Sequence, residues 1–171
     1  TAVTEISKEA RLCNRRFETV RDAVLRAHSW NVAITRASLA ADSAAPAFGF
    51  STQFTLPTDP YCLRVISFWN ANVNNDIAAY DSNVMYKIEG RKILSNESTC
   101  SIIYIGRVTD TELYDSLLSS TIAHRLASET AYAITGSNAL AQSMYSLYQA
   151  RLSEARSMDA LEGYPEQLQA D

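Results

Sequence analysis

Apolar residues recur at alternating intervals of four and three along the first part of the chain. They are Ile6, Ala10, Cys13, Phe17, Val20, Val24 and Ala27. A helix of 3.6 residues per turn places such a series on one side, and charged residues fill most of the other positions. The pattern predicts an amphipathic helix over about 5–28 that packs through this stripe against partner helices.

The pattern changes after Trp30 to short runs of branched and aromatic residues. Turn residues separate these runs as far as residue 108, which predicts strands joined by loops. The run Ile88-Glu89-Gly90-Arg91 predicts a two-residue hairpin, because glycine supplies the positive φ that a primed turn needs. The polar stretch 70–82 predicts a long exposed loop.

Helical spacing returns after residue 109. Thr109 and Glu112 have the spacing of a capping box, and a long second helix is predicted to follow it. Gly136 and Ser137 predict a tight link into a third helix, which Gly163 and Pro165 are expected to end. The predicted apolar face of this last helix consists of Leu140, Met144, Leu147, Tyr148, Leu152, Ala155 and Met158.

These elements predict an α+β fold, an antiparallel helical bundle with a β-sheet or sandwich module inserted between the first and second long helices. The predicted domains are the bundle (1–30 and 109–163), the β-module (31–108) and an extended C-terminal tail (164–171). We interpret His28 and Trp30 as a structural corner between the two parts. Trp30 is expected to pack beneath the turn, and His28 is favoured at the negative end of the helix dipole.

Composition and charge narrow the classes of function. The chain is 47% hydrophobic and 20% charged, as in ordinary globular proteins, and no apolar run approaches the roughly 18–20 residues of a membrane span. We therefore predict no membrane contact. The net charge of −4 argues against a protein that coats DNA.

Charge is unevenly distributed along the chain. Residues 1–40 carry seven bases and four acids, whereas residues 141–171 carry two bases and five acids. This polarity favours contacts between oppositely charged surfaces. Arginines also outnumber lysines twelve to three, which favours protein contacts, since the planar guanidinium suits bidentate ion pairs.

The sequence has no arrangement typical of catalysis. The five glycines do not form a phosphate-binding loop, and the three cysteines are too scattered for a zinc site. His28 and His124 are far apart in the sequence, and we interpret both as structural or surface residues. The sequence predicts no enzymatic activity, no catalytic residue, no metal and no cofactor.

Four stretches of the chain carry a resemblance to a known family. In chain order they are EARLCNRRFETVRDAVLRAHSWNVAITRASLA, FGFSTQFTLPTDPYCLRV, YKIEGRKIL and YIGRVTDTELYDSLLSSTIAHRLASETAYAITGS. Together they resemble the head-to-tail adaptor family of short-tailed bacteriophages, also called tail tubular protein A. The family pattern R-D-x-L-L-R-x-H-P-W-x-F-A is matched here at Arg21, Asp22, Leu25, Arg26, His28, Trp30 and Ala33. Ser29 replaces its proline, and Val32 replaces its aromatic residue.

The resemblance implies a structural adaptor subunit of a bacteriophage virion. Members form a twelve-fold ring that joins the portal to the tail nozzle and lines the channel for genome ejection. The implied partners are further copies of the chain, the portal protein, the nozzle protein and double-stranded DNA that passes without specific binding. The implied location is the head-to-tail interface of the virion, after synthesis in the cytoplasm of the host bacterium.

Contact residues follow from this resemblance and from the exposed polar segments. The expected portal contacts, in the last helix and the tail, are Tyr148, Arg151, Arg156 and Tyr164. Removing 157–171 is expected to weaken portal binding and to leave the fold intact. The expected contacts with a neighbouring subunit or the nozzle are Asn72, Asn74, Asn75 and Asp76.

Two other functions stay open. A small non-viral protein-binding or regulatory helical module would also act through exposed helix faces. A hydrolase with its site where the bundle meets the β-module would need His28 and a nearby acid.

Overall fold

The structure is a computed structural model that describes residues 5, 7–69 and 85–162 of the chain. Its helices and strands, in chain order, are α1 (Lys8–Ala27), β1 (Ile34–Leu39), β2 (Thr52–Thr55), β3 (Cys62–Trp69), β4 (Tyr86–Glu89), β5 (Lys92–Ser95), β6 (Cys100–Gly106), α2 (Ser116–Thr135) and α3 (Asn138–Leu161). Short 3-10 helices lie at Asn31–Ala33 and Thr111–Leu113. The predicted loop 70–82 and the predicted tail 164–171 lie outside the described residues.

The chain divides into two compact units. Residues 1–32 and 108–171 form what we call the helical unit, and residues 33–107 form the β unit. The predicted boundaries between bundle and β-module lie after residues 30 and 108, and the two units divide after residues 32 and 107.

The predicted fold class is wrong in its main feature, although a mixture of helix and sheet is compatible with the structure. The three helices do not form an antiparallel bundle, and the strands between α1 and α2 form two three-stranded antiparallel sheets. In a bundle each helix buries a stripe around one shared core. Here α3 buries Tyr148, Ala155 and Asp159, while Cys13 and Phe17 of the α1 stripe are half-buried. Regular spacing predicts the apolar side of each helix but not that these sides meet in one core.

The start of α2 differs from the sequence prediction. A capping box at Thr109 and Glu112 would begin a helix there, but α2 begins at Ser116. The Asp115 carboxylate accepts the backbone N–H of Leu118 at 2.7 Å, which satisfies one of the free donors of the first turn. The predicted capping box is therefore wrong, because Asp115, six residues after Thr109, supplies the cap.

The link between α2 and α3 agrees with the sequence prediction. Gly136 ends α2 in the left-handed conformation, with φ of +72°, and its N–H donates to the carbonyl oxygen of Tyr132. The Ser137 hydroxyl accepts the backbone N–H of Leu140 and so caps α3. Two residues that suit these backbone positions join two long helices, and α2 and α3 pack along each other.

The β unit contains two antiparallel sheets with strand orders β1-β6-β3 and β2-β5-β4. The predicted hairpin is present between β4 and β5. Glu89 pairs with Lys92, which leaves Gly90 and Arg91 as the loop, and Gly90 has a φ of +57°.

Both sheets contribute to one hydrophobic core. Phe54 and Ile93 come from one sheet, and Phe68, Ile102 and Tyr104 come from the other, all almost fully buried. A contiguous cluster of this kind is the normal centre of a small globular unit. The β unit therefore has its own core, although some of its large apolar residues, such as Phe48 and Met85, are exposed.

Candidate protein-binding surface

Helix α3 has a buried side and an exposed apolar side. Tyr148, Ala155 and Asp159 form the buried side. Tyr145 is exposed beside Arg125, and on another side lie four large exposed apolar residues, which are Leu140 (38%), Leu147 (44%), Met158 (51%) and Leu161 (76%). At 100° per residue they lie about a quarter turn from the buried side. We name this surface the α3 flank, and it consists of Leu140, Met144, Leu147, Arg151, Glu154, Met158 and Leu161.

An ion pair lies in the middle of the α3 flank. Arg151 Nη1 is 2.7 Å from Glu154 Oε2, and both side chains are about half exposed. An exposed pair of this kind contributes little to stability, because water competes with it on every side. Both charged groups therefore remain accessible to a partner that covers the apolar residues around them.

The α3 flank is long enough to bind another protein. From Leu140 to Leu161 the helix rises about 32 Å, at about 1.5 Å per residue. Single exposed apolar residues are common on soluble proteins, whereas several on one side of a helix, here on both sides of a charged pair, are typical of an interaction site. This surface is the best candidate for a functional site in the described part of the chain.

Packing between α2 and α3 sets the orientation of the flank. The Arg125 guanidinium lies 5.4 Å from the ring centroid of Tyr145 and 5.2 Å from that of Tyr148. It also forms an ion pair with Glu129, whose Oε1 is 3.0 Å from Arg125 Nη2. Beside these groups is an open cleft of about 530 Å³, whose lining includes Arg125, Glu129 and Tyr145. Because Arg125 already has partners on both helices, we assign it to holding α3 on α2 rather than to ligand binding.

Trp30 anchors the end of α1. Its side chain is fully buried, and its Nε1 donates to the carbonyl oxygen of Val24 at 2.9 Å. The His28 ring packs edge-on against the indole, with the ring centroids 4.9 Å apart. The indole thus satisfies a carbonyl of the last helical turn that has no partner within the helix.

Asp159 of α3 holds this corner from the other side of the helical unit. His28 Nε2 is 2.9 Å from Asp159 Oδ2, and the backbone N–H of Asn31 donates to Oδ1 at 3.0 Å. The Asn31 side-chain amide also donates to the backbone carbonyl of Asp159, at 2.8 Å. A buried carboxylate is stable only with such partners, and here each of its oxygens has one. We name this network the Asp159 clasp.

The predicted portal-contact residues are in different environments. Tyr148 is buried against Arg125, and Arg156 is half-buried with its Nη2 donating to the carbonyl oxygen of Ala27 at 2.6 Å. Arg151 is exposed on the α3 flank. The remaining predicted contact residues lie outside the described residues, and they are Tyr164, Asn72, Asn74, Asn75 and Asp76.

Sequence analysis missed Asp159, although one signal for it was available. An acid in the last turn of a helix faces the negative end of the helix dipole, and this unfavourable position indicates a partner elsewhere. The clasp also changes the expected effect of removing 157–171. That truncation would delete Asp159 and leave His28 and Asn31 without their acceptor, so we no longer expect it to leave the fold intact.

Across the described residues, no group of three or more histidines, cysteines and acids is placed to hold a metal ion. None of the helices in that part of the chain combines the length and the apolar character needed to cross a membrane. Comparison of the chain with protein-family models and with curated proteins gave no match.

Proposed function

We propose that the chain is a structural, non-enzymatic adaptor subunit of a bacteriophage virion. Copies of it form a ring between the portal and the tail nozzle, and the ring lines the channel through which the genome leaves the head. The proposal begins with the four stretches that resemble the head-to-tail adaptor family. The subunit works by binding other proteins, so it needs neither a metal nor a cofactor.

The four stretches carry the choice of an adaptor, and the α3 flank supports a function in binding other proteins. Leu147, Met158 and Leu161 are large apolar residues that remain in contact with water in the isolated chain. Covering them with a partner protein would remove apolar surface from water, which is the main favourable contribution to protein association. An adaptor has to bind large protein partners, and an uncovered helix side suits that task.

The charges of the helical unit support contacts between copies. Arg11, Arg15 and Arg16 are exposed on α1, and among the described residues no carboxylate lies within ion-pairing distance of them. Exposed acids occur elsewhere in the same unit, for example Asp110 and Glu112. A closed ring joins two different patches of each subunit, and patches of opposite charge favour such a contact over contact between like patches.

The proposed portal contact uses only part of the residues first expected there. Of the residues first expected there, Tyr148 and Arg156 already have partners within the helical unit. We assign the contact to the exposed Arg151 together with the neighbouring Leu147 and Met158. His28 has a structural role in this proposal, because Asp159 holds it at the end of α1.

Electron microscopy of a reconstituted complex tests the proposal. The chain is co-expressed with the portal protein encoded in the same phage genome, and the purified particles are examined by negative stain. We expect a ring of extra density on one face of the portal. Portal particles without this ring, at a large excess of the chain, would refute the adaptor function.

Two matched variants then test the surface. Leu147→Glu puts a charge on the α3 flank, whereas Gln149→Glu puts the same charge on the other exposed side of α3. Both should fold, as judged by far-ultraviolet circular dichroism, but only Leu147→Glu should lose the ring. Equal ring formation by both variants would exclude the α3 flank as the portal contact.

A small non-viral protein-binding or regulatory module is the second candidate, and the α3 flank supports it equally well. The two functions differ in their genes and in their partners. Neighbouring genes for a portal and a nozzle support the adaptor. Failure to bind a portal, together with capture of a cellular protein that Leu147→Glu abolishes, would support the module.

A further inference from the structure

The α3 flank has the spacing of a coiled-coil seam. Its members Met144, Leu147, Arg151, Glu154, Met158 and Leu161 are separated alternately by three and four residues. This is the a/d repeat through which two helices pack side by side. In the structure none of these residues is fully buried, so packing within the helical unit leaves part of the seam's surface exposed to a partner.

The seam also fits a second copy of itself. When two α3 helices run antiparallel, with their crossing point between Leu152 and Ser153, each seam residue meets a seam residue of the other copy. Leu147 then faces Met158, and Met144 faces Leu161. Arg151 faces Glu154 in both directions, so the two charged groups of the seam meet opposite charges. The register thus matches apolar with apolar and base with acid along its whole length.

We propose that two copies of the chain pair through the α3 flank as an antiparallel, two-fold symmetric dimer. A contact in which the same patch serves both subunits is the commonest form of protein self-association. The central Arg151–Glu154 contacts select this register, because sliding by one heptad places charged groups against apolar ones. The pairing does not depend on the proposed function. If the portal binds the same flank, the pair separates before portal binding.

The expected affinity is modest. One pair of helices in contact from Met144 to Leu161, over about 26 Å, is smaller than a standard stable interface, which buries about 1,600 Å² in total. The polar centre of the seam also contributes specificity more than stability. We therefore expect a dissociation constant in the micromolar range, at about 1–100 µM. The free chain is then monomeric in dilute solution and dimeric at higher concentration.

Sedimentation equilibrium tests the dimer with charge variants. The parent chain should shift from monomer to dimer as its concentration rises from about 1 to 200 µM. Arg151→Glu and Glu154→Arg, made singly, bring like charges together in the centre, and each should weaken dimerisation at least about tenfold. The double variant R151E/E154R restores opposite charges and should recover most of the affinity. Gln149→Glu, on the other exposed side of α3, is the matched control and should match the parent.

Several results of these measurements would contradict the proposed dimer or its register. A chain that is monomeric at all concentrations contradicts the proposal, and so does assembly directly into larger rings. Dimerisation that Arg151→Glu leaves unchanged shows that another surface is used. A double variant no better than either single variant shows that Arg151 and Glu154 do not meet across the interface.

Cross-linking tests the antiparallel direction. Leu147→Cys and Met158→Cys are made separately, each with Cys13→Ser to remove the half-buried native thiol. A short bismaleimide should join the two variants when they are mixed, because these positions face each other, and should join neither variant to itself. Efficient self-linking of either variant would indicate a parallel pair and overturn the register proposed here.

Discussion

The Asp159 clasp predicts a graded loss of stability when its acceptors are removed. The carboxylate accepts from Asn31 N–H and lies 2.9 Å from His28 Nε2, while the third bond of the clasp uses the backbone carbonyl and survives substitution. Each hydrogen bond to a charged group is worth about 1.5–3 kcal/mol, and a buried donor left unpaired has its own cost. We expect Asp159→Ala to lower the free energy of unfolding by about 3 kcal/mol. Asp159→Asn keeps an oxygen for Asn31 and should cost about 1–2 kcal/mol.

Urea denaturation followed by circular dichroism at 222 nm measures this difference, because that signal reports mainly on the helices. Because the chain divides into two compact units, the midpoint and slope are fitted for each transition that the signal resolves. Glu162→Gln is the matched control, since it removes an exposed negative charge at the same end of α3. Its effect should stay within about 0.5 kcal/mol.

Two results would refute the reasoning. If Asp159→Ala costs no more than Glu162→Gln, the clasp does not contribute to stability. If Asp159→Asn costs as much as Asp159→Ala, the contact with Asn31 adds nothing, and the contact with His28 accounts for the whole effect.

Three further predictions concern other buried or paired groups. Trp30→Ala should lower the free energy of unfolding by about 3–5 kcal/mol in the same assay. Trp30→Phe loses the N–H that donates to Val24 but keeps most of the ring, so it should cost about 1–2 kcal/mol. A Trp30→Phe variant as stable as the parent would contradict the role of the hydrogen bond. Burial raises the pKa of Cys100 to about 12, so brief alkylation at about pH 8 should leave it unmodified until urea unfolds the β unit, as mass spectrometry can show. The hydrogen bond from Lys92 holds the pKa of Asp42 below its ordinary 3.8, so its carboxylate stabilises the β unit above that pH. This contribution is lost as the pH falls through the lowered pKa that Asp42 has in the folded state. Lys92→Met should therefore flatten the fall in melting temperature below about pH 4. An unchanged slope would contradict the pairing.

Local signals in the sequence predicted the elements well. The four-three spacing from Ile6 to Ala27 predicts a helix over 5–28, and the structure has α1 at Lys8–Ala27. Gly136 and Ser137 predict the link between α2 and α3, because one suits a left-handed residue and the other a helix cap. These features depend on a few neighbouring residues, so the sequence alone is enough to identify them.

Non-local features were harder to predict. Thr109 and Glu112 have the right spacing for a capping box, but Asp115 competes with them and provides the cap. The partners of Asp159 are more than a hundred residues away in the sequence, and no local pattern identifies His28 as one of them. The prediction of a bundle was wrong for the same reason. Residue spacing describes one helix at a time, whereas a bundle depends on how several helices pack together.

The candidate surface emerges from the difference between sequence pattern and structure. Leu140, Leu147 and Met158 have the spacing of a packed helix face, and the sequence analysis assigned them to it. In the structure they are exposed, although Tyr148 and Ala155 of the same face are buried. A helix that serves only its own unit needs one apolar side, whereas α3 has apolar residues on a second side as well. Packing within the helical unit does not account for this second apolar side, and the proposed pairing of two α3 helices would cover it.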